Sequence, residues 1–191
     1  MKDRHYYFIR PNGTSWHNDR RLRPEYFVEG EPLGKRFNYS QKSLDEGIVR
    51  IGWPNTGDLR RTTRRWPCRT QGYPPGPAQY VLDYLESFRT MPRGSIVLMP
   101  DNRERGRIYI GKVVGGYCFH YNIENGDWYE CAHRCKVSWV RESGGSPRRF
   151  SAANLRIPYP GGFWRRAFAR IDLTSKGRKI ADRIDALLGA P

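Results

Sequence analysis

Gly94-Ser-Ile-Val-Leu-Met-Pro-Asp-Asn-Arg-Glu-Arg-Gly-Arg-Ile-Tyr-Ile-Gly-Lys-Val-Val-Gly-Gly-Tyr-Cys-Phe-His-Tyr121 is the stretch on which the fold turns. Ser95–Met99 is a short apolar run rich in β-branched residues, bounded by Gly94 and Pro100, and reads as a strand. Arg107–Val114 reads as a second strand. Gly115-Gly116 then reads as a turn into a third, Tyr117–Tyr121, on which Tyr117, Phe119 and Tyr121 alternate and so share one face.

Outward from this core the same signals recur. Residues 5–10, His-Tyr-Tyr-Phe-Ile-Arg, form a strand stopped by Pro11-Asn12-Gly13. Residues 47–53 form another, ended by Pro54, and residues 132–140 a late one carrying Val137-Ser138-Trp139-Val140. Asn125-Gly126 marks a turn between strands. Residues 14–46 are polar and irregular, a long loop with room for one short helix or hairpin. Tyr80, Val81, Tyr84, Leu85 and Phe88 fall at helical spacing and predict a helix over 78–90. Ile180, Ile184, Leu187 and Leu188 predict a second over 175–188. Gly144-Gly145-Ser146-Pro147 breaks the chain before it. Short, mostly antiparallel strands with about two helices predict an α+β fold: a small curved or barrel-like sheet with peripheral helices.

Charge is the strongest compositional signal. Among 191 residues, 34 Lys+Arg face 19 Asp+Glu, a formal net charge of +15, and aromatics reach 14%. A disordered chain is poor in aromatics, so this one folds. A surplus of arginine, whose planar fork grips phosphate in two places, points to a polyanion partner. No apolar run approaches the roughly 20 residues that span a bilayer, and the N-terminus lacks the apolar core of a signal peptide. A cytoplasmic location with reduced thiols follows as the expectation, and no membrane partner is implied.

The order of motifs resembles the PUA-like superfamily, in the branch containing EVE and YTH domains. Tyr7-Phe8-Ile9-Arg10-Pro11-Asn12 resembles its opening strand. Gly47-Ile48-Val49-Arg50-Ile51-Gly52-Trp53-Pro54 resembles the strand that delivers a pocket tryptophan. Gly94–Met99, Gly106–Val113 and Cys135–Val140 resemble three later strands. The set is most similar to the EVE-like readers of modification-dependent restriction systems. The resemblance covers about residues 5–141, with 14–46 and 60–77 standing as insertions. It implies a base-reading domain over 1–145 and an extension over 146–191 with a terminal helix.

The resemblance implies recognition of a modified base, flipped into an aromatic cage and read along its edge. YTH domains do this with methylated adenine in RNA, and the restriction-associated EVE-like domains with modified bases in DNA. Modified double-stranded DNA is the expected partner, read by a module that either stands alone or works with a separate nuclease or effector subunit. RNA is the alternative, because fold alone does not decide it. Extruding a base costs a few kcal/mol. Aromatic stacking, worth about 1–3 kcal/mol per base, offsets that cost.

Trp53, at a strand end, and Trp128, in the 125–130 loop, are the cage candidates; each could instead pack in a core. Phe119 and Tyr121 are expected beside the pocket, Tyr117 and Trp139 in the core. Asn12 matches a family position at the base edge, or is a turn asparagine. Asp58 either accepts from an exocyclic amine or caps a turn. Arg60, Arg61, Arg64 and Arg65, with Arg148, Arg149, Arg165 and Arg166 as a second cluster, are the phosphate candidates.

Catalytic and metal readings have thinner support. Cys131-x-His133-x-Cys135 does not match the paired spacing of zinc sites. Asp101, Glu104 and Lys112 resemble a nuclease carboxylate–lysine set without a second carboxylate cluster. Neither a metal nor any other cofactor is expected, nor enzyme activity in this chain alone. A nuclease using Glu104 or His133 is the competing class.

Overall fold

The computed structural model describes residues 4–10, 39–51, 58–60, 79–101, 104–120, 133–158 and 168–189. Among them are seven strands and three helices: β1 (Tyr6–Ile9), α1 (Tyr39–Asp45), β2 (Ile48–Ile51), α2 (Gln79–Arg89), β3 (Ile96–Pro100), β4 (Arg107–Phe119), β5 (His133–Trp139), β6 (Arg149–Ser151), β7 (Phe168–Arg170) and α3 (Ser175–Leu187). The fold is α+β. The strands form one open sheet in the order β2-β5-β4-β3-β1-β7, with β6 paired to β4. Only β1 and β3 run parallel, Tyr6 opposite Ile96 and Phe8 opposite Leu98; the other pairs are antiparallel.

Every residue of β1, β2 and β3 is buried. Near-continuous apolar strands of this kind belong to a sheet covered on both faces. On one face Tyr7, Ile9, Val49, Ile51, Val97, Met99, Val113, Val137 and Trp139 pack with Leu44 of α1 and Leu85 and Phe88 of α2. β1 and β2 approach each other although three strands separate them in the sheet, so this face is concave. On the other face Tyr6, Phe8, Ile96, Leu98, Ile108 and Ile110 pack with Ile180, Ala181 and Ile184 of α3.

Segment 146–191 is built into this arrangement. It supplies β6, β7 and α3, and β7 pairs with β1, Phe8 opposite Ala169. Two side chains tie α3 to the sheet: Asp185 Oδ1 accepts from Arg4 at 2.8 Å and Oδ2 from the Tyr6 hydroxyl at 2.6 Å. Gly177 lets the helix close on the chain that leads into it. A Cβ there would lie 1.6 Å from the Asp172 carbonyl oxygen.

One strand departs from the sequence reading. Gly115-Gly116 does not turn the chain; β4 continues through it as a single strand of 13 residues. Neither glycine has a positive φ. They occupy an irregularity instead: Val113 pairs with Val137 and Tyr117 with Cys135, so three residues of β4 face Lys136 alone. Such bulges bend a strand and raise its twist. Gly115 is required by close approach, since a Cβ there would lie 2.9 Å from Lys136 Cβ. The short helix left open in 14–46 is α1, and the predicted helices and remaining strands lie within two residues of their expected bounds where the described residues allow comparison.

Candidate functional site

Burial along β4 changes beyond the bulge. Its first half is covered on both sides. From Lys112 onward, Lys112, Val114, Gly116, Cys118 and His120 are exposed on the outer face. On the concave face Val113 is buried, whereas Tyr117 and Phe119 are half-buried. The concave core therefore opens at the far end of β4. Asp58, Leu59 and Arg60 stand at this opening, and β5 enters it at His133, paired with Phe119 on one side and Ile51 on the other.

Tyr117 organises the site. Its hydroxyl accepts from the Leu59 backbone N–H at 3.3 Å and lies 2.7 Å from His133 Nδ1. The direction of that hydrogen bond follows the imidazole tautomer, the phenol donating to a bare Nδ1 or accepting from a protonated one. The Tyr117 and His133 rings stack at 5.8 Å, Phe119 lies tilted 5.3 Å from His133, and Phe88 meets Tyr117 edge-on at 6.5 Å. His133 is fully buried beneath the two half-buried rings.

An acid–base bracket stands over the Tyr117 ring. Asp58 Oδ1 accepts from the Arg60 backbone N–H at 3.1 Å, and its carboxylate holds the Arg60 guanidinium at 2.6–3.1 Å. The guanidinium carbon sits 5.9 Å from the Tyr117 ring centre, within cation–π reach. Arg89 is held in turn by Glu86 on α2.

Burial pushes the Tyr117 phenol up to about 12; Asp58 adds to the shift, and the Leu59 N–H and Arg60 oppose it. Burial likewise pushes the Cys135 thiol up to about 12. In the unfolded chain both groups titrate lower, at roughly 10 and 8.5. The stability they contribute is whole below the unfolded values and is lost as pH rises toward the folded ones. The denaturant midpoint should therefore fall between pH 8 and pH 11. Tyr117→Phe should flatten the part of the fall above pH 10. An unchanged midpoint across that range would refute the linkage.

Of the residues expected at the site, Phe119, Asp58 and Arg60 come together here. Trp53, Trp128, Tyr121, Asn12, Arg61, Arg64, Arg65, Arg165 and Arg166 lie outside the described residues, as do Cys68 and Cys131. Tyr117, expected in the core, stands half-buried at the opening and makes its central hydrogen bonds; Trp139 is in the core, its indole N–H donating to the Ser43 carbonyl. Arg148 and Arg149 lie elsewhere. Arg149 pairs with Tyr109, ten residues of strand from Phe119, roughly 30 Å along β4.

Arg149 is engaged by Asp101, Glu104 and the Tyr109 hydroxyl, and Arg148 lies over the Phe150 ring at 5.0 Å. The same network holds the nuclease-like carboxylates: Asp101 accepts from Tyr109 at 2.9 Å and Glu104 binds Arg107. Lys112 is five residues of strand from Arg107, roughly 17 Å away. Sequence reasoning missed the pairing of His133 with Tyr117. Its signal was parity: His133, Cys135, Val137 and Trp139 alternate inward, as do Val113, Tyr117 and Phe119.

No curated protein matches the chain. Among solved structures, the YTH domain of the Zygosaccharomyces rouxii MRB1 protein, solved in complex with N6-methyladenosine RNA, is 12% identical with a TM-score of 0.47. The match covers 99% of this chain and 89% of that one. The model of a family described as Domain of unknown function (DUF8426) matches residues 32–156, a span that takes in α1 through β6 and the whole Tyr117–His133 site. The chain belongs to that domain family of unknown function.

Proposed function

We propose that this domain binds nucleic acid and reads one modified base, extruded from DNA, at the open end of the concave face. The observation that carries the reading is the loss of cover along β4. Tyr117 and Phe119 are half-exposed over a buried His133, in a chain of net charge +15. Aromatic faces at an opening suit a flat π-system, and a basic chain suits the phosphates beside it.

In this reading Trp53, two residues past Ile51, and Tyr121 and Trp128, on the segment between Phe119 and His133, complete the cage. Asn12 and Asp58 read the base edge. Arg60, Arg61, Arg64 and Arg65 hold flanking phosphates; Arg165 and Arg166, with the more distant Arg148 and Arg149, are the second phosphate set. The domain acts as a reader, and cleavage belongs to a separate nuclease or effector. Three features support that division: Asp101 and Glu104 are held by arginines, Lys112 stands far from them, and the Cys135 thiol is kept protonated.

The test is fluorescence anisotropy against matched short duplexes at one fixed salt concentration: unmodified, methylcytosine, hydroxymethylcytosine and methyladenine, with a modified RNA strand alongside. One modified duplex should bind at least tenfold tighter than its unmodified match, about 1.4 kcal/mol. Trp53→Ala should erase that margin. Equal binding by all duplexes would overturn the reader assignment, and preference for the RNA strand would move the substrate to RNA. Retention of the full margin in Trp53→Ala would remove Trp53 from the cage.

A further inference from the structure

Several of the arginines on and beside the sheet are occupied by the chain's own carboxylates. Arg60 is held by Asp58, Arg89 by Glu86, Arg107 and Arg149 by Glu104, and the buried Arg50 by Glu46. α3 differs. Lys176, Arg178, Lys179 and Arg183 are all exposed, and among the described residues none forms an ion pair. Of the two acids on the helix, Asp185 is taken by Arg4, and Asp182 pairs with none of these cations.

Packing fixes where these charges point. Gly177, Ile180, Ala181 and Ile184 are buried against the sheet. Lys176, Lys179 and Arg183, at spacings of three and four, therefore form a stripe on the outer side of the helix. Arg183 donates to the Asn154 carbonyl at 2.8 Å, bringing the 152–157 turn alongside, and that turn adds the exposed Arg156, held at a φ of 57°. Seven residues of helix span about 10 Å. A nucleic-acid strand carries one charge per 3.4 Å of duplex axis, so the stripe matches about three phosphates. It lies across the sheet from Tyr117, because α3 packs on the convex face and Tyr117 on the concave one.

We infer that the outer face of α3, with Arg156, is a second nucleic-acid contact that grips the phosphate backbone without reading bases. The inference rests on the nucleic-acid reading above but not on the base cage. It separates two properties: the concave opening sets which base is preferred, and α3 contributes salt-dependent affinity shared by every duplex.

The experiment compares wild type, K176A/K179A and the control R93A/R105A. The control removes the same charge from two exposed arginines at the two ends of β3. Binding to unmodified and modified duplex DNA is measured across a salt series, with circular dichroism confirming the fold. The slope of log affinity against log salt should flatten by about 1.8 in K176A/K179A, from about 0.9 for each phosphate no longer neutralised. The ratio between modified and unmodified duplex should not change. The control should keep the wild-type slope.

A wild-type slope in K176A/K179A, or an equal flattening in the control, would overturn the inference and leave the nucleic-acid reading standing. Loss of the modified-base ratio in K176A/K179A would also overturn it, by placing α3 within base recognition. Absence of salt-dependent binding in the wild type would overturn both.

Discussion

Gly177→Ala is expected to destabilise the domain by about 2–3 kcal/mol, within the usual cost of overpacking a filled core. In an isolated helix the same change would help by roughly 1 kcal/mol. Here the new methyl would lie 1.6 Å from the Asp172 carbonyl oxygen, 2.8 Å from its carbon and 3.2 Å from Ile171 Cγ2. The first two are backbone atoms, which cannot rotate aside. Ile171 is itself pinned to β1 by the bond from its N–H to the Tyr6 carbonyl at 2.8 Å. The helix must therefore lift, pulling Ile180 and Ile184 from the convex core and Asp185 from Arg4 and Tyr6. Thermal melting should show a fall of about 4–12 °C for a domain of this size. Gly144→Ala, where a Cβ meets nothing within 4 Å, is the control and should melt like wild type. Coincident melting of Gly177→Ala and wild type would mean that α3 does not depend on that close approach.

Tyr117→Phe is the second large effect. The change leaves the ring and removes one oxygen, and with it the partner of both the Leu59 N–H and His133 Nδ1. His133 is fully buried, so its Nδ1 cannot turn to water in place. Leaving a buried polar group unsatisfied costs about 1–3 kcal/mol, and about 2 kcal/mol is expected from urea denaturation. Loss of the Leu59 bond also frees the bracket that places Arg60 and Asp58. Affinity for the preferred duplex should therefore fall even though the stacking surface is kept. Phe119→Ala should show the reverse balance, with affinity lost and stability little changed, since its ring is half-exposed. If Tyr117→Phe matched wild type in both assays, the hydroxyl would be a bystander.

Most of the fold was legible wherever one physical signal dominated. Leu85 and Phe88, and Ile180 and Ile184, announced their helices by spacing, and the apolar runs at 5–10 and 95–99 announced strands. Gly115-Gly116 misled because a glycine pair signals a turn when positive φ is needed. Here the glycines meet a different demand, the approach of Lys136. β6 and β7 are three residues each, too short for a periodic signal, and the parallel pairing of β1 with β3 depends on a long crossover that no local pattern reveals. At the site, Phe119 and Asp58 could be named from residue type and place. The bond between Tyr117 and His133 could not, because it depends on the register of two strands across a bulge.

That irregularity also acts as a ruler. Three residues of β4 stand where β5 has one, an excess of two. Removing both glycines would restore even pairing and keep every side chain on its face, because strands repeat every two residues. It would also draw Phe119 and the chain beyond it back by about 7 Å relative to β3. Removing one glycine would instead turn Tyr117 and Phe119 outward, toward the face that carries Lys112 and Val114. The bulge therefore sets how far the aromatic pair projects, and a change of two residues there could resize the opening while the rest of the sheet keeps its register.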